Sequence, residues 1–152
     1  MARILAVDDE PTITRLVQAA LERDGHEVLT ASNGDEALLR ARTEKPDLIL
    51  LDIMMPGMDG HEVLMRLRDD ISTENIPVVF LSAVGDVAEQ LEGLEEGAVD
   101  YITKPFSPAD LRSAVRDLLD PGLAATHAKL IEKQKARLRT YKEVMRRRSE
   151  NR

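Results

Sequence analysis

Five residues that can do chemistry each lie at the end of a short apolar run: Asp8, Asp9, Asp52, Ser82 and Lys104. If these runs are parallel β-strands, their carboxyl ends meet at one edge of the sheet and the five side chains converge. Three carboxylates held close together repel one another. Lys104 and a hard divalent cation with oxygen ligands, such as Mg²⁺, would compensate that repulsion. The combination is suited to phosphoryl transfer onto a carboxylate, with Asp52 as the candidate nucleophile.

Each of these residues, taken alone, also has an ordinary structural explanation. Asp8 and Asp9 could simply open a helix, where the helix dipole favours negative charge. Ser82 is of a type common in turns, and Lys104 is of a type common at surfaces. A module that only binds a metal would explain the carboxylates but neither the hydroxyl nor the ammonium group. We therefore favour phosphoryl transfer, which uses every residue of the set.

The apolar pattern predicts the elements that must position these residues. Five segments are expected to be strands: Ile4–Val7, Glu27–Ala31, Leu48–Leu51, Val78–Leu81 and Tyr101–Thr103. Their lack of polar alternation is typical of a parallel sheet covered on both faces. Between them, apolar residues recur at helical spacing. Right-handed crossovers then give an α/β fold, a doubly wound (βα)5 three-layer sandwich. Ser107 is predicted to cap the fifth helix, and Pro121 with Gly122 to end it.

Composition limits the classes of protein to consider. The chain has 152 residues, of which 43% are hydrophobic and 3% aromatic, so the core must be built mainly from aliphatic side chains. The sequence contains no cysteine, which excludes disulfides and thiolate chemistry and fits a cytoplasmic protein. No apolar stretch approaches the roughly 20 residues that span a bilayer. The segment Met1–Val7 does not have the form of a signal peptide. We expect a cytoplasmic protein with no membrane span.

The charge is distributed unevenly along the chain. Residues 1–120 contain 11 Lys and Arg against 25 Asp and Glu, a net charge of −14. Residues 121–152 contain 10 Lys and Arg against 3 Glu, a net charge of +7. Such opposed segments indicate two functional pieces. We expect a folded domain over 1–120 and a basic helical tail, either an extension or a linker, over 121–152.

The tail is predicted to be an exposed helix that mediates association. Residues 128–148 contain no Gly or Pro and are rich in good helix formers. A short heptad seam of mainly apolar residues favours a homodimer or a partner helix over an independent coiled coil. Nucleic acid, an acidic membrane surface and the tail's own acidic domain are alternative partners for its positive charge. The seam consists of Ala124, His127, Ile131, Gln134, Leu138, Tyr141 and Met145.

Four segments in order resemble the receiver domain of bacterial two-component response regulators over about residues 2–120. They are Val7–Glu10, Leu50–Gly60, Leu81–Ala83 and Asp100–Phe106. The resemblance implies a parallel sheet of strand order 2-1-3-4-5 and a cis bond between Lys104 and Pro105. It also implies a signalling switch, not a turnover enzyme, that is phosphorylated by a histidine kinase or a histidine phosphotransfer protein.

The resemblance further implies a role for each matching residue. Asp52 would be the phosphoacceptor, and Lys104 and Ser82 would assist the transfer. Ser82 and Tyr101 would form the switch, in which the hydroxyl moves toward the phosphoryl group and the aromatic ring fills the space left behind. Mg²⁺ would be held by Asp8, Asp9, Asp52 and the backbone carbonyl of Met54.

Two further interpretations complete the set. A haloacid-dehalogenase-like phosphatase also forms an aspartyl phosphate, but it uses a second Asp two residues after the nucleophile. Here that position is Met54, which cannot act as an acid or a base. The three histidines lack ligand spacing and are expected at the surface, without a metal or catalytic role: His26, His61 and His127.

Overall fold

The computed structural model describes residues 1–151, and in that part of the chain strands and helices alternate as predicted. The strands are β1 (Arg3–Val7), β2 (Glu27–Ala31), β3 (Leu48–Asp52), β4 (Val78–Ala83) and β5 (Asp100–Lys104). The first five helices are α1 (Pro11–Glu22), α2 (Gly34–Glu44), α3 (Gly60–Arg68), α4 (Val87–Glu95) and α5 (Pro108–Leu119). A 3₁₀ turn (Pro121–Leu123) then leads into a long sixth helix, α6 (Ala124–Glu150).

The five strands form one parallel sheet of order β2-β1-β3-β4-β5. This confirms both the doubly wound fold class and the strand order that the family resemblance implies. The register places Asp52 beside Leu81, and Ala83 beside Lys104. Strands β3, β4 and β5 therefore end at nearly the same level, which brings their terminal side chains to one edge.

The core consists of two apolar layers, one on each face of the sheet. Within β3, Leu48 and Leu50 face one layer while Ile49 and Leu51 face the other, and all four are buried. Helices α1 and α5 cover the first face, and α2 and α3 cover the second. Because both faces are covered, the strands have no polar alternation, as the sequence indicates.

Side-chain caps fix where several helices begin. The Ser107 hydroxyl accepts a hydrogen bond from the Asp110 amide at 3.0 Å, which confirms the predicted cap of α5. Asp59 caps α3 in the same way by accepting from the Glu62 amide at 3.0 Å. Helix α5 ends at Leu119, and Asp120 separates it from Pro121, in agreement with the predicted end.

Strand ends differ from the apolar runs by one or two residues. Strand β1 begins at Arg3, β3 includes Asp52, and β5 extends from Asp100 to Lys104. These polar end residues join the backbone ladder although their side chains add nothing to the core. Apolar pattern alone therefore underestimates strand length at the functional edge.

The tail forms a helix of 27 residues that packs mainly against α4. The predicted helix is thus confirmed, and it begins four residues earlier than residue 128. Among residues 1–151, no helix is both long and apolar enough to cross a membrane.

Gly60 should be intolerant of a side chain, because backbone surrounds it. A Cβ at this position would lie 2.6 Å from the Asp52 carbonyl oxygen and 2.8 Å from the Ile53 Cα. We expect Gly60→Ala to lower the free energy of unfolding by about 1–3 kcal/mol, measured by urea denaturation. Gly34→Ala is the matched control, since Gly34 is also the first residue of a capped helix but the three atoms nearest to its added Cβ all belong to the Met58 side chain. Equal losses in the two variants would contradict this packing argument.

Candidate functional site

The predicted site residues do come together at the carboxyl edge of the sheet. Asp8 follows β1 directly, and Asp52 is the last residue of β3. Ser82 is the last residue but one of β4, and Lys104 is the last residue of β5. Asp8, Asp52 and Ser82 are 1%, 5% and 2% exposed, whereas Asp9 is exposed at the rim. The edge is therefore a recess with buried polar walls and a carboxylate at its mouth.

One ammonium group links two of the carboxylates. Lys104 Nζ lies 2.7 Å from Asp8 Oδ2 and 3.3 Å from Asp52 Oδ1. The other oxygen of Asp8 accepts a hydrogen bond from the Glu10 amide at 3.0 Å, which fixes the orientation of this carboxylate. The bond between Lys104 and Pro105 is cis, as the resemblance implies.

The charges at this edge are not balanced by Lys104 alone. Burial, followed by repulsion from Asp8, raises the pKa of Asp52 to about 7, although Lys104 acts in the opposite direction. Burial would by itself lower the pKa of Lys104, but its hydrogen bond to Asp8 and the charge of Asp52 raise it. The Lys104 ammonium thus stays charged, while Asp52 is left with more negative charge around it than one cation offsets.

The carboxylates of Asp8, Asp9 and Asp52 fit a hard divalent cation. One oxygen from each lies within 4.8 Å of the others, and oxygen ligands around such a cation are typical of Mg²⁺. Burial is the main cause of the raised pKa of Asp52, and the repulsion from Asp8 that adds to it would be relieved by a cation bound here. Met54 directly follows this edge, and its amide lies 3.4 Å from Asp52 Oδ1.

Ser82 is connected to helix α4 through a residue that the sequence analysis missed. Gln90 is 4% exposed, and its side-chain amide donates to Ser82 Oγ at 3.1 Å and to the Ala83 carbonyl at 3.4 Å. Gln90 lies on the same helical face as Val87, Leu91 and Leu94. A polar residue on this apolar face was the one feature of the sequence that could have indicated its role. The hydroxyl hydrogen of Ser82 stays available for donation toward the recess.

Tyr101 is connected to the tail helix rather than to solvent. Its ring packs with Leu91, Leu94 and Leu138, and its hydroxyl accepts a hydrogen bond from the Gln134 side-chain amide. Burial raises the pKa of the Tyr101 hydroxyl, so the group remains a neutral phenol. The two residues that are predicted to form the switch thus contact two different helices, α4 and α6.

The exposed tail seam was predicted incorrectly. Leu138 is only 6% exposed, and Ile131 packs beside it against α4. Arg139 adds an ion pair with Glu95 at 3.1 Å, consistent with the charge attraction considered for the tail and its own domain. The last two seam residues are exposed, with Tyr141 at 50% and Met145 at 38% exposure.

His61 was also predicted incorrectly, because it is buried and not at the surface. It is 8% exposed, and its ring lies 5.3 Å from that of Phe80, centroid to centroid. His26 and His127 are half-buried; His127 Nε2 lies 3.1 Å from the Val99 carbonyl and 3.6 Å from Asp100 Oδ2. Spacing along the chain could not reveal that His61 faces Phe80 of β4 and glutamates on and just after α4.

Known proteins share this fold. A family model, the response regulator receiver domain, matches residues 4–116. The chain is similar to the chemotaxis protein CheY4 of Vibrio cholerae, with 34% identity and a TM-score of 0.74 over 78% of this chain and 99% of that one. It is also similar to NtrX from Brucella abortus, with 30% identity and a TM-score of 0.71 over 95% of this chain and 29% of that one.

Curated relatives show a comparable level of similarity. PhoP of Bacillus subtilis, an alkaline phosphatase synthesis transcriptional regulatory protein, is 49% identical over 77% of this chain and 48% of its own length. The probable transcriptional regulator ycf27 of Pyropia yezoensis is 47% identical over 77% of this chain and 47% of its own length. The chain thus spans about half the length of these relatives.

The raised pKa of Asp52 predicts that the metal-free protein loses stability as pH increases. The folded state holds a proton on Asp52 up to about pH 7, while the unfolded chain releases it near 3.8. Between these values the folded state binds more protons, so the free energy of unfolding falls as pH rises, by about 1–2 kcal/mol between about pH 5 and about pH 7. Urea denaturation at a series of pH values, in a buffer that contains a chelator, measures this fall in the free energy of unfolding.

The control for this prediction is Asp52→Asn, whose amide does not titrate. Subtracting its pH dependence from that of the natural protein removes the contributions of all other groups. If the free energy of unfolding depends on pH in the same way in both proteins, the pKa of Asp52 is not raised in the folded state.

Proposed function

The chain belongs to the response regulator receiver domain family, and we propose that it acts as a phosphorylation-dependent signalling switch of a two-component system. The observation that carries this proposal is the contact of Lys104 with both Asp8 and Asp52 inside a cluster of three carboxylates. The phosphoryl donor would be a phosphohistidine on a histidine kinase or on a histidine phosphotransfer protein. We also propose a cytoplasmic location, in keeping with the absence of cysteine.

The reaction proposed is transfer of a phosphoryl group to Asp52. A carboxylate oxygen of Asp52 attacks the phosphorus, an O–P bond forms, and the P–N bond of the donor breaks. The electron pair of that bond and a proton remain with the leaving imidazole. Lys104 lies close enough to Asp52 to pair with a phosphoryl oxygen, and Ser82 has a hydroxyl hydrogen to donate to another.

Mg²⁺ is the cofactor that fits this edge. It would be held by Asp8, Asp9, Asp52 and the backbone carbonyl of Met54, and when bound it would supply positive charge for the carboxylates and the phosphoryl oxygens. Asp8 is kept in place by Lys104 and the Glu10 amide, so it is pre-positioned. Asp9 is exposed and free to turn toward the recess.

Asp52 is expected to be the position that acquires the phosphoryl group. Incubation with acetyl phosphate and Mg²⁺ should add the mass of one phosphoryl group, and peptide mapping should place it on Asp52. Asp52→Asn should abolish the adduct, whereas Asp35→Asn, a change at an exposed carboxylate of α2, should leave it intact. Full labelling of the Asp52→Asn protein would refute the assignment. Continuous release of phosphate from added esters would instead favour a phosphatase.

We further propose that phosphorylation of Asp52 weakens the attachment of the tail helix to the domain. If Tyr101 turns inward after phosphorylation, its hydroxyl leaves Gln134, and α6 loses one of its attachments to the domain. The seam residues that now contact α4, such as Ile131 and Leu138, would then be available to a second copy of the chain or to a partner helix. In this proposal, self-association through the tail follows phosphorylation.

Removing the Tyr101 hydroxyl should mimic part of this release. Loss of one hydrogen bond, worth about 0.5–1.5 kcal/mol, should speed amide hydrogen exchange in α6 about two- to tenfold in Tyr101→Phe. Tyr141→Phe is the matched control, because that ring is half exposed. Acetyl phosphate should speed the same exchange in the natural protein. Equal exchange rates in both variants, together with no response to acetyl phosphate, would show that phosphorylation does not loosen the tail helix through Tyr101.

A further inference from the structure

A second group of metal-ligating side chains lies between α3 and α4, apart from the phosphorylation site. His61, the second residue of α3, faces two glutamates of α4 and a third directly after its end. Its Nε2 lies 2.6 Å from Glu89 Oε2 and 3.7 Å from Glu92 Oε2. Its Nδ1 lies 3.1 Å from Glu96 Oε1. The proposed function uses none of these four residues.

The ligand atoms lie near the spacing that a small tetrahedral ion requires. Metal–ligand bonds of about 2.0–2.1 Å place neighbouring ligand atoms about 3.3 Å apart, close to the 3.7 Å between Nε2 and Glu92 Oε2. The 2.6 Å contact of Nε2 with Glu89 Oε2 is a hydrogen bond, and a metal ion would replace its proton and move the two atoms apart. One ligand atom each from His61, Glu89 and Glu92 lies within 4.8 Å of the others. Glu89 and Glu92 are three residues apart on one helix, so they share a face.

The surroundings of His61 point independently to a ligand. The side chain is 10% exposed, and within residues 1–151 its Nδ1 has no well-aligned hydrogen bond. A metal-bound histidine characteristically presents its other ring nitrogen to a carboxylate, which orients the ring. Glu96 stands at that position, and Phe80 closes the inner side of the ring.

We propose that His61, Glu89 and Glu92 form a site for a first-row divalent transition metal such as Zn²⁺, with Glu96 orienting the histidine. Imidazole nitrogen suits Zn²⁺ and its neighbours in the series, whereas Mg²⁺ favours oxygen ligands alone. The protein would then hold two cation sites of different chemistry. A proton on His61 is the competing occupant, and the same carboxylates favour it by raising the pKa of His61 even though burial opposes this.

Such a metal would fix α4 to α3. Gln90, which donates to Ser82, lies between Glu89 and Glu92 in the sequence of α4. A metal that holds both glutamates would therefore restrain the helix turn that contacts the switch serine. The proposal itself does not depend on the proposed function, because metal binding can be measured without phosphorylation.

The test is calorimetric titration of the full chain with Zn²⁺ in the presence of excess Mg²⁺. We expect one equivalent to bind, and binding should weaken at least about tenfold in Glu92→Gln, a change at a side chain that is 57% exposed. Glu62→Gln, on α3 and paired with Arg66, is the matched control and should bind like the natural protein. Asp9→Asn should also bind Zn²⁺ normally.

A nitrogen-15 spectrum of the imidazole rings identifies the histidine involved. Zn²⁺ should shift the Nε2 signal of His61 and leave those of His26 and His127 unchanged. The proposal is overturned if Zn²⁺ does not bind, if Glu92→Gln binds it as tightly as the natural protein, or if Asp9→Asn abolishes binding. Unchanged affinity in Glu92→Gln would mean that His61 and these glutamates interact with one another but do not bind a metal together.

Discussion

The contact of one lysine with two buried aspartates is the interaction on which the site depends. Lys104 offers a single positive charge to Asp8 and Asp52, while Asp9 adds a third carboxylate at the mouth. Burial, with repulsion from Asp8, raises the pKa of Asp52 to about 7 although Lys104 opposes this, so the edge is poorly satisfied without a further cation. A domain that kept this arrangement for stability alone would have no reason to bury carboxylates that repel each other. In the proposed function, a cation bound at this edge would relieve that repulsion and leave Asp52 ionised for phosphoryl transfer.

The recess is connected to the outer surface by two hydrogen bonds on neighbouring strands. Ser82 in β4 bonds to Gln90 of α4, and Tyr101 in β5 bonds to Gln134 of α6. Helix α4 packs closely on the sheet beside this hydrogen bond, because Phe80 Cδ2 lies only 2.4 Å from the position that a Cβ on Gly93 would occupy. Closely packed elements tend to shift as units. In the proposed switch, a change of charge at Asp52 would reach the tail by way of α4.

Much of the fold and the site could be predicted from the sequence because both depend on local patterns. Unbroken apolar runs define buried parallel strands, and polar residues at their ends must share one edge. Gln90, His61 and the docking of Leu138 were not predicted, since each depends on how a helix is rotated about its axis and on which surface it meets. Even so, a polar residue such as Gln90 on an apolar helix face was a visible signal. The tail was expected to seek an external partner, whereas its seam is partly covered by its own domain.

The size of the interactions that hold the tail and α4 suits a switch. Two neutral hydrogen bonds, at about 0.5–1.5 kcal/mol each, and the burial of Leu138, at about 1.5–3 kcal/mol, together give about 2.5–6 kcal/mol. Reversing an equilibrium from 1:99 to 99:1 requires about 5.5 kcal/mol. A phosphoryl group on Asp52 brings three oxygens, and charge-assisted hydrogen bonds contribute about 1.5–3 kcal/mol each. Two such bonds, from Lys104 and Ser82, would match the interactions that oppose them. In the proposed switch, the docked tail would therefore stay in place without phosphorylation of Asp52 and be released by it.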